Sequence, residues 1–254
     1  MWFFESGFLK PEDEAWHFET WAWMLKSFGG MARLKKAPLV TPTPEFFPPT
    51  TKQGDRRAEY VLSCVKKHME MSSLPVRLVA QPDCYPEQLN EAFGQTIAVG
   101  MHARSTYQDG ELVITYNPTL QDWPLILVFT FAHELADYLL TKVSEPPPDD
   151  SEMHEYAADM VTVFFGLGIF GADSAFTFWK EAVGTKGTFW TSSTEGYLRE
   201  ADWVYALAVF LTLRAEDPAT LQNWLKASLY SDFKKAYHSL AKKQTQLLVL
   251  QQIH

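Results

Sequence analysis

Phe131-Ala132-His133-Glu134-Leu135-Ala136-Asp137-Tyr138-Leu139-Leu140 is the stretch on which the reading of this chain turns. It lies in an apolar run that begins near Pro124, where the only ionisable groups besides Tyr138 are His133, Glu134 and Asp137. The run has helical length, with Asp122 read as its N-cap and Trp123-Pro124 as its first turn. A helix apolar on most sides is usually buried, and buried charges need partners. His133 and Asp137 stand four positions apart and share one face, with Glu134 turned about 100° away.

The residues that would answer these charges follow a short linker. Pro146, Pro147 and Pro148 prevent the helix from continuing. Asp149 and Glu152 resemble a capping box that opens a second helix. That helix carries Glu155-Tyr156-Ala157-Ala158-Asp159, a second carboxylate-bearing i, i+4 pair, and runs on apolar to Gly168. The face shared by Glu155 and Asp159 also holds Ala158, Thr162 and Gly166, small enough for close approach. So short a connection makes the two helices neighbours and brings Glu155 opposite His133 and Asp137.

Four carboxylates and one imidazole in a partly buried site call for a compensating cation. No Lys or Arg lies between Ala132 and Lys142, or between Val143 and Trp179. A divalent ion is the simplest solution, zinc first, although an oxygen-rich donor set also suits Mn²⁺ or Mg²⁺. The plain alternative puts the carboxylates on solvent-facing sides, with His133 a satisfied core histidine.

His133-Glu134-x-x-Asp137 has the spacing of the H-E-x-x-H zinc motif, with Asp in the second ligand position. Followed by Glu155-x-x-x-Asp159, it resembles the gluzincin metallopeptidases over roughly residues 95 to 170. The resemblance implies His133 and Glu155 as metal ligands, Glu134 as general base and Asp159 as the carboxylate that orients His133. Asp137 is assigned as the remaining ligand from its position. His154 is the one substitute for it, ranked lower because it points about 100° away from Glu155 on the same helix.

Composition bounds the rest. The chain has 254 residues, 46% hydrophobic and 15% aromatic, enough for one large domain or one domain with appendages. A net charge of −9 argues against nucleic-acid binding. Cys64 and Cys84 do not make a disulfide framework, and the first residues lack the pattern of a signal peptide. No apolar run predicts a membrane span, so the expectation is a cytoplasmic protein.

The expected fold is α+β: a small antiparallel sheet and a metal-binding helix pair, wrapped by N- and C-terminal helices. Residues 1–54 form an aromatic-rich arm and a Pro-rich connector, 55–170 the core, and 171–254 a helical part packed on it. Helices are predicted over Glu12–Phe28, Asp55–Met71, Asp173–Ala182, Tyr197–Arg214, Pro218–Leu229 and Asp232–Ile253. Strands are predicted at Pro75–Ala80, Gln95–Ala103 and Glu111–Tyr116, with Gln108-Asp109-Gly110 as a hairpin turn. His68 reads as surface or cap, and Lys234, Lys235, Lys242 and Lys243 as a solvated face. His102, Arg104 and Tyr107 read as a solvated turn, with substrate contact the sharper alternative. In gluzincins an edge strand pairs with extended peptide substrate, a mode that unpaired backbone groups make general.

The functional expectation is metal-dependent hydrolysis of a peptide or protein substrate. Its rival is a zincin-like binding or regulatory protein that does not turn over substrate. Tyr197, Arg199 and Tyr205 are the candidates for a transition-state donor, although nothing in their spacing singles one out.

Overall fold

The computed structural model describes residues 7–81, 103–108, 110–148, 153–173 and 198–254. Its elements are α1 (Pro11–Ser27), α2 (Gly30–Leu34), α3 (Asp55–His68), β1 (Val76–Ala80), β2 (Ala103–Gln108), β3 (Glu111–Tyr116), α4 (Pro124–Leu140), α5 (His154–Phe164), α6 (Glu200–Arg214), α7 (Ala227–Leu240) and α8 (Gln244–Gln251). The class is α+β, as the sequence predicts.

The expected hairpin is present. β2 pairs antiparallel with β3 from Ala103↔Tyr116 to Gln108↔Glu111, so Gln108, expected in the turn, is the last residue of β2, and Gly110 lies in the connection. Gly110 has φ +84°, a conformation that favours glycine. The sheet as a whole is mixed rather than antiparallel, because β1 joins the other side of β3 in parallel, Val76 opposite Leu112. A parallel neighbour needs a long connection, and the chain between Ala80 and Glu111 is long enough. Of the strand expected at Gln95–Ala103, residues 95–102 lie outside the described residues.

α4 is the expected motif helix, with Pro124 at its first position, where a missing N–H costs nothing. Asp122 is not its N-cap: it closes a short 3-10 turn, Pro118–Asp122, and Trp123 takes the cap position without a side-chain bond. Asp149 and Glu152, read as a capping box, lie outside the described residues. α5 stops at Phe164 instead of continuing to Gly168. Gly166 has φ +85°, and a Cβ there would stand 1.9 Å from the Pro38 carbonyl oxygen. The Val40 N–H donates to the Gly166 carbonyl at 2.9 Å. Gly166 therefore serves close approach of the Pro-rich connector rather than of α4.

One hydrophobic core runs through all three sequence segments, joining Trp21, Phe131, Phe164, Phe210 and Phe233, each fully buried. Such side chains contribute roughly 1.5–3 kcal/mol each on burial. Within the aromatic arm Trp16, Trp21 and Trp23 are buried, so its described part is a packing element. Phe47 stacks edge-on against Phe170 at 5.5 Å and anchors the connector. His68 caps the same contact, its Nε2 3.1 Å from the Phe46 carbonyl oxygen.

The C-terminal half departs from expectation in its breaks. The helix expected over Pro218–Leu229 is a 3-10 turn, Pro218–Leu221, with α7 starting at Ala227. The helix expected over Asp232–Ile253 is two, α7 and α8, separated at residues 241–243. That turn lets Leu247 and Leu250 of α8 reach the core, and Lys243 pairs with the buried Glu14 of α1. Lys243 is therefore not part of a solvated face. The segment predicted at Asp173–Ala182 lies outside the described residues beyond Asp173. Among the described residues no helix is long and apolar enough to cross a membrane.

Candidate functional site

α4 and α5 pack side by side, as the short linker requires, and bring their polar groups together. His133 lies in a buried position, with Phe129 edge-on to its ring at 6.0 Å. Its Nδ1 lies 2.9 Å from Asp159 Oδ1 and its Nε2 2.9 Å from Glu155 Oε2. Carboxylate oxygens on both ring nitrogens require both to donate, so this geometry is that of an imidazolium. Burial alone would lower the pKa of His133, but hydrogen bonds to Asp159 and Glu155 overcome it and lift it to about 10.

Asp159 is fully buried. Its Oδ2 accepts the backbone N–H of Leu198 at 3.0 Å, a bond that ties the start of α6 to the site. Burial pushes the Asp159 carboxyl up, and the hydrogen bond from His133 holds it down. Glu155 is the exposed partner, half open to solvent, and its pKa is lowered chiefly by the hydrogen bond from His133. Of the residues expected to meet, His133 does reach Glu155 and Asp159, whereas Asp137, expected opposite Glu155 as well, pairs with His154.

Asp137 and Glu134 lie beside this pair on α4, both partly buried. Asp137 Oδ1 accepts from His154 Nε2 at 2.6 Å, and its Oδ2 is 3.5 Å from the hydroxyl of Ser105 on β2. Glu134 is largely buried, and burial first of all raises its pKa; Asp137 and Glu155 add to the rise, while His133 and a hydrogen bond from Ser105 oppose it. Ser105 is the residue that sequence reasoning missed, since a serine within a strand carries no motif of its own. Two positions on, Tyr107 stacks on Tyr138 at 5.5 Å, with the Lys142 ammonium 4.7 Å from the Tyr107 ring. Tyr107 is therefore half-packed rather than a free turn residue; His102 and the side chain of Arg104 lie outside the described residues.

Two of the proposed transition-state donors are committed elsewhere. Arg199 binds Asp202 at 2.6 Å and Asp13 at 2.7 Å, and the Tyr205 hydroxyl donates to Glu14 at 2.9 Å. Tyr197 lies outside the described residues.

The charge argument also changes. The sequence counts one imidazole against four carboxylates; the fold adds His154. Among the described residues no three His, Cys, Asp or Glu side chains stand together as a ready-made metal site.

The donors nonetheless suit a divalent ion. His133 offers Nε2 outward while Asp159 fixes Nδ1, which is how metal-bound histidines are commonly held. Nitrogen and carboxylate oxygen are ordinary zinc donors. An ion would take the place of the proton between His133 and Glu155, so uptake has to release that proton. Set against protein-family models, curated proteins and solved structures, the chain matches none.

Proposed function

We propose that the protein is a metal-dependent peptidase of gluzincin-like design. The observation that carries this reading is His133 fixed between buried Asp159 and half-exposed Glu155, with Glu134 alongside on the same helix. His133 and Glu155 would hold the ion, with the third protein donor coming from the Asp137–His154 pair. A bound divalent ion, zinc by its donors, would polarise the scissile carbonyl and acidify its water. Glu134 takes the proton of that water; its raised pKa makes it a better base near neutral pH than an ordinary carboxylate. Ser105 lies beside this stretch of the helix, its hydroxyl 3.5 Å from Asp137 Oδ2. β2 is the outer strand on that side of the sheet among the described residues, and it carries Ser105. An extended peptide laid along β2 would pass Glu134.

The acidic net charge supports a protein or peptide substrate over nucleic acid. The low cysteine content supports a cytoplasmic setting.

A second reading, a binding or regulatory protein without turnover, is favoured by one observation. Both imidazoles already have carboxylate partners, at 2.9 Å and 2.6 Å, so the site is satisfied without chemistry.

The two readings part on a broad peptide library incubated with zinc-loaded protein. Cleavage that a chelator stops and added zinc restores is the expected result. No cleavage of any member overturns the peptidase and leaves the binding protein.

A further inference from the structure

The Asp at position 137 looks like a lost ligand, because the motif it resembles has a histidine there. The fold sets a different histidine against that carboxylate. His154 opens α5, next to Glu155, and its Nε2 donates to Asp137 Oδ1 at 2.6 Å. We propose that His154 supplies the second imidazole of the metal site, and that Asp137 is the carboxylate that orients it. This rests on the metal reading given above and refines which residues hold the ion.

Three observations carry the assignment. The first is a reciprocity between the helices. His133 of α4 is backed by Asp159 of α5, and His154 of α5 is backed by Asp137 of α4. In each pair one ring nitrogen is taken by a carboxylate, the arrangement in which a histidine's other nitrogen faces a metal. For His154 that other nitrogen is Nδ1, which makes no hydrogen bond among the described residues.

The second is access. The His154 and Asp137 side chains are about a third exposed, at 36% and 32%, and Glu155 is half exposed. The open side of the site is thus formed by the residues that would have to shift for an ion to enter. His154 also lies close enough to Glu155 for its charge to favour the ionised carboxylate.

The third is charge. His133, Asp137 and Glu155 would leave a divalent ion with a net charge of about zero, a weak Lewis acid. His133, His154 and Glu155 leave about +1, the value of an ordinary two-histidine, one-glutamate peptidase site. The substitution at position 137 is then a relocation of the imidazole to the neighbouring helix, with the displaced carboxylate kept to hold it. Ser105, 3.5 Å from Asp137 Oδ2, steadies the carboxylate from the β2 side.

The test uses the full chain, stripped with a chelator and titrated with Zn²⁺ against a chromophoric competitor, then with Co²⁺ read by visible absorption. His154→Ala is expected to weaken zinc binding more than Asp137→Asn does, and to change the shape of the Co²⁺ spectrum. Asp137→Asn keeps a hydrogen-bonding partner for His154, so it is expected to weaken binding by about 10- to 100-fold with the spectral shape kept. The opposite pattern, with Asp137→Asn reshaping the spectrum and His154→Ala leaving it alone, overturns the proposal and returns Asp137 to the ion.

A measurement on the parent protein removes dependence on how the variants fold. Zinc should protect His154 from diethyl pyrocarbonate, read by mass spectrometry of its peptide, and equal modification with and without bound zinc overturns the proposal. Parent protein that takes up no zinc overturns it together with the metal reading. Parent that binds zinc while His154→Ala binds it equally well overturns the proposal alone.

Discussion

Asp159→Ala is expected to destabilise the metal-free protein by about 3–5 kcal/mol, the usual cost of removing one partner from a buried ion pair. Two groups are stranded by the change. His133 loses the acceptor of its Nδ1–H, and the Leu198 N–H loses the acceptor of its bond, both in positions without solvent. Asp159→Asn keeps an oxygen for Leu198 but removes the charge opposite His133, so it should cost less than the alanine. Denaturant midpoints at neutral pH measure both. A loss for Asp159→Ala no larger than that of an ordinary surface substitution would show that the buried pair does not support the fold.

The same experiment has a pH arm with a definite sign. Folding raises the His133 pKa from 6.5 to about 10, through Asp159 and Glu155 acting against burial. The stabilisation from the charged ring is therefore complete below about pH 6.5 and lost as pH climbs through about 10. Glu134 and Asp137 on α4, and Glu155 and His154 on α5, are the other titrating groups nearby. The gap in stability between parent and Asp159→Ala should narrow steadily as pH rises from about 6.5 toward about 10.

The second large effect concerns turnover. Glu134→Gln is expected to lower kcat by roughly 10²- to 10⁴-fold, the contribution of a positioned general base. It should leave bound zinc unchanged, since Glu134 is not among the residues proposed to hold the ion. The amide cannot accept the water's proton, but it keeps the size of the side chain. A variant that cleaves as fast as the parent would remove Glu134 from the reaction.

How far the sequence carried this reading differs between elements. That Glu155 would come opposite His133 was legible because a helix fixes the i, i+4 geometry and the linker is too short for the helices to part, while the approach of Asp159 to His133 was implied by the gluzincin resemblance. The existence of α4 and of a β2–β3 hairpin was legible for similarly local reasons, a proline in the first turn and Asp-Gly ahead of an apolar strand, although the N-cap of α4 and the span of β2 were not.

What was not legible depended on contacts distant in sequence. Nothing local says that β1 will join β3 in parallel, or that the Pro38 carbonyl will press against Gly166 and end α5 early. The turn between α7 and α8 has neither Pro nor Gly; it follows from Lys243 reaching Glu14, 229 positions away. The contact of His154 with Asp137 cannot be read from its offset from Glu155 along one helix. Its partner, Asp137, stands on the other helix, and a contact between helices is not bound by the spacing within one. Ser105 became visible only when β2 was laid beside α4.

Metal content of the untagged, unsupplemented protein tests the central claim most directly. Inductively coupled plasma mass spectrometry on parent, His133→Ala and Glu155→Ala should find about one divalent ion per parent chain and an empty site in both variants. A parent that holds no metal and takes up none when zinc is offered would contradict the account, as would variants that retain as much metal as the parent.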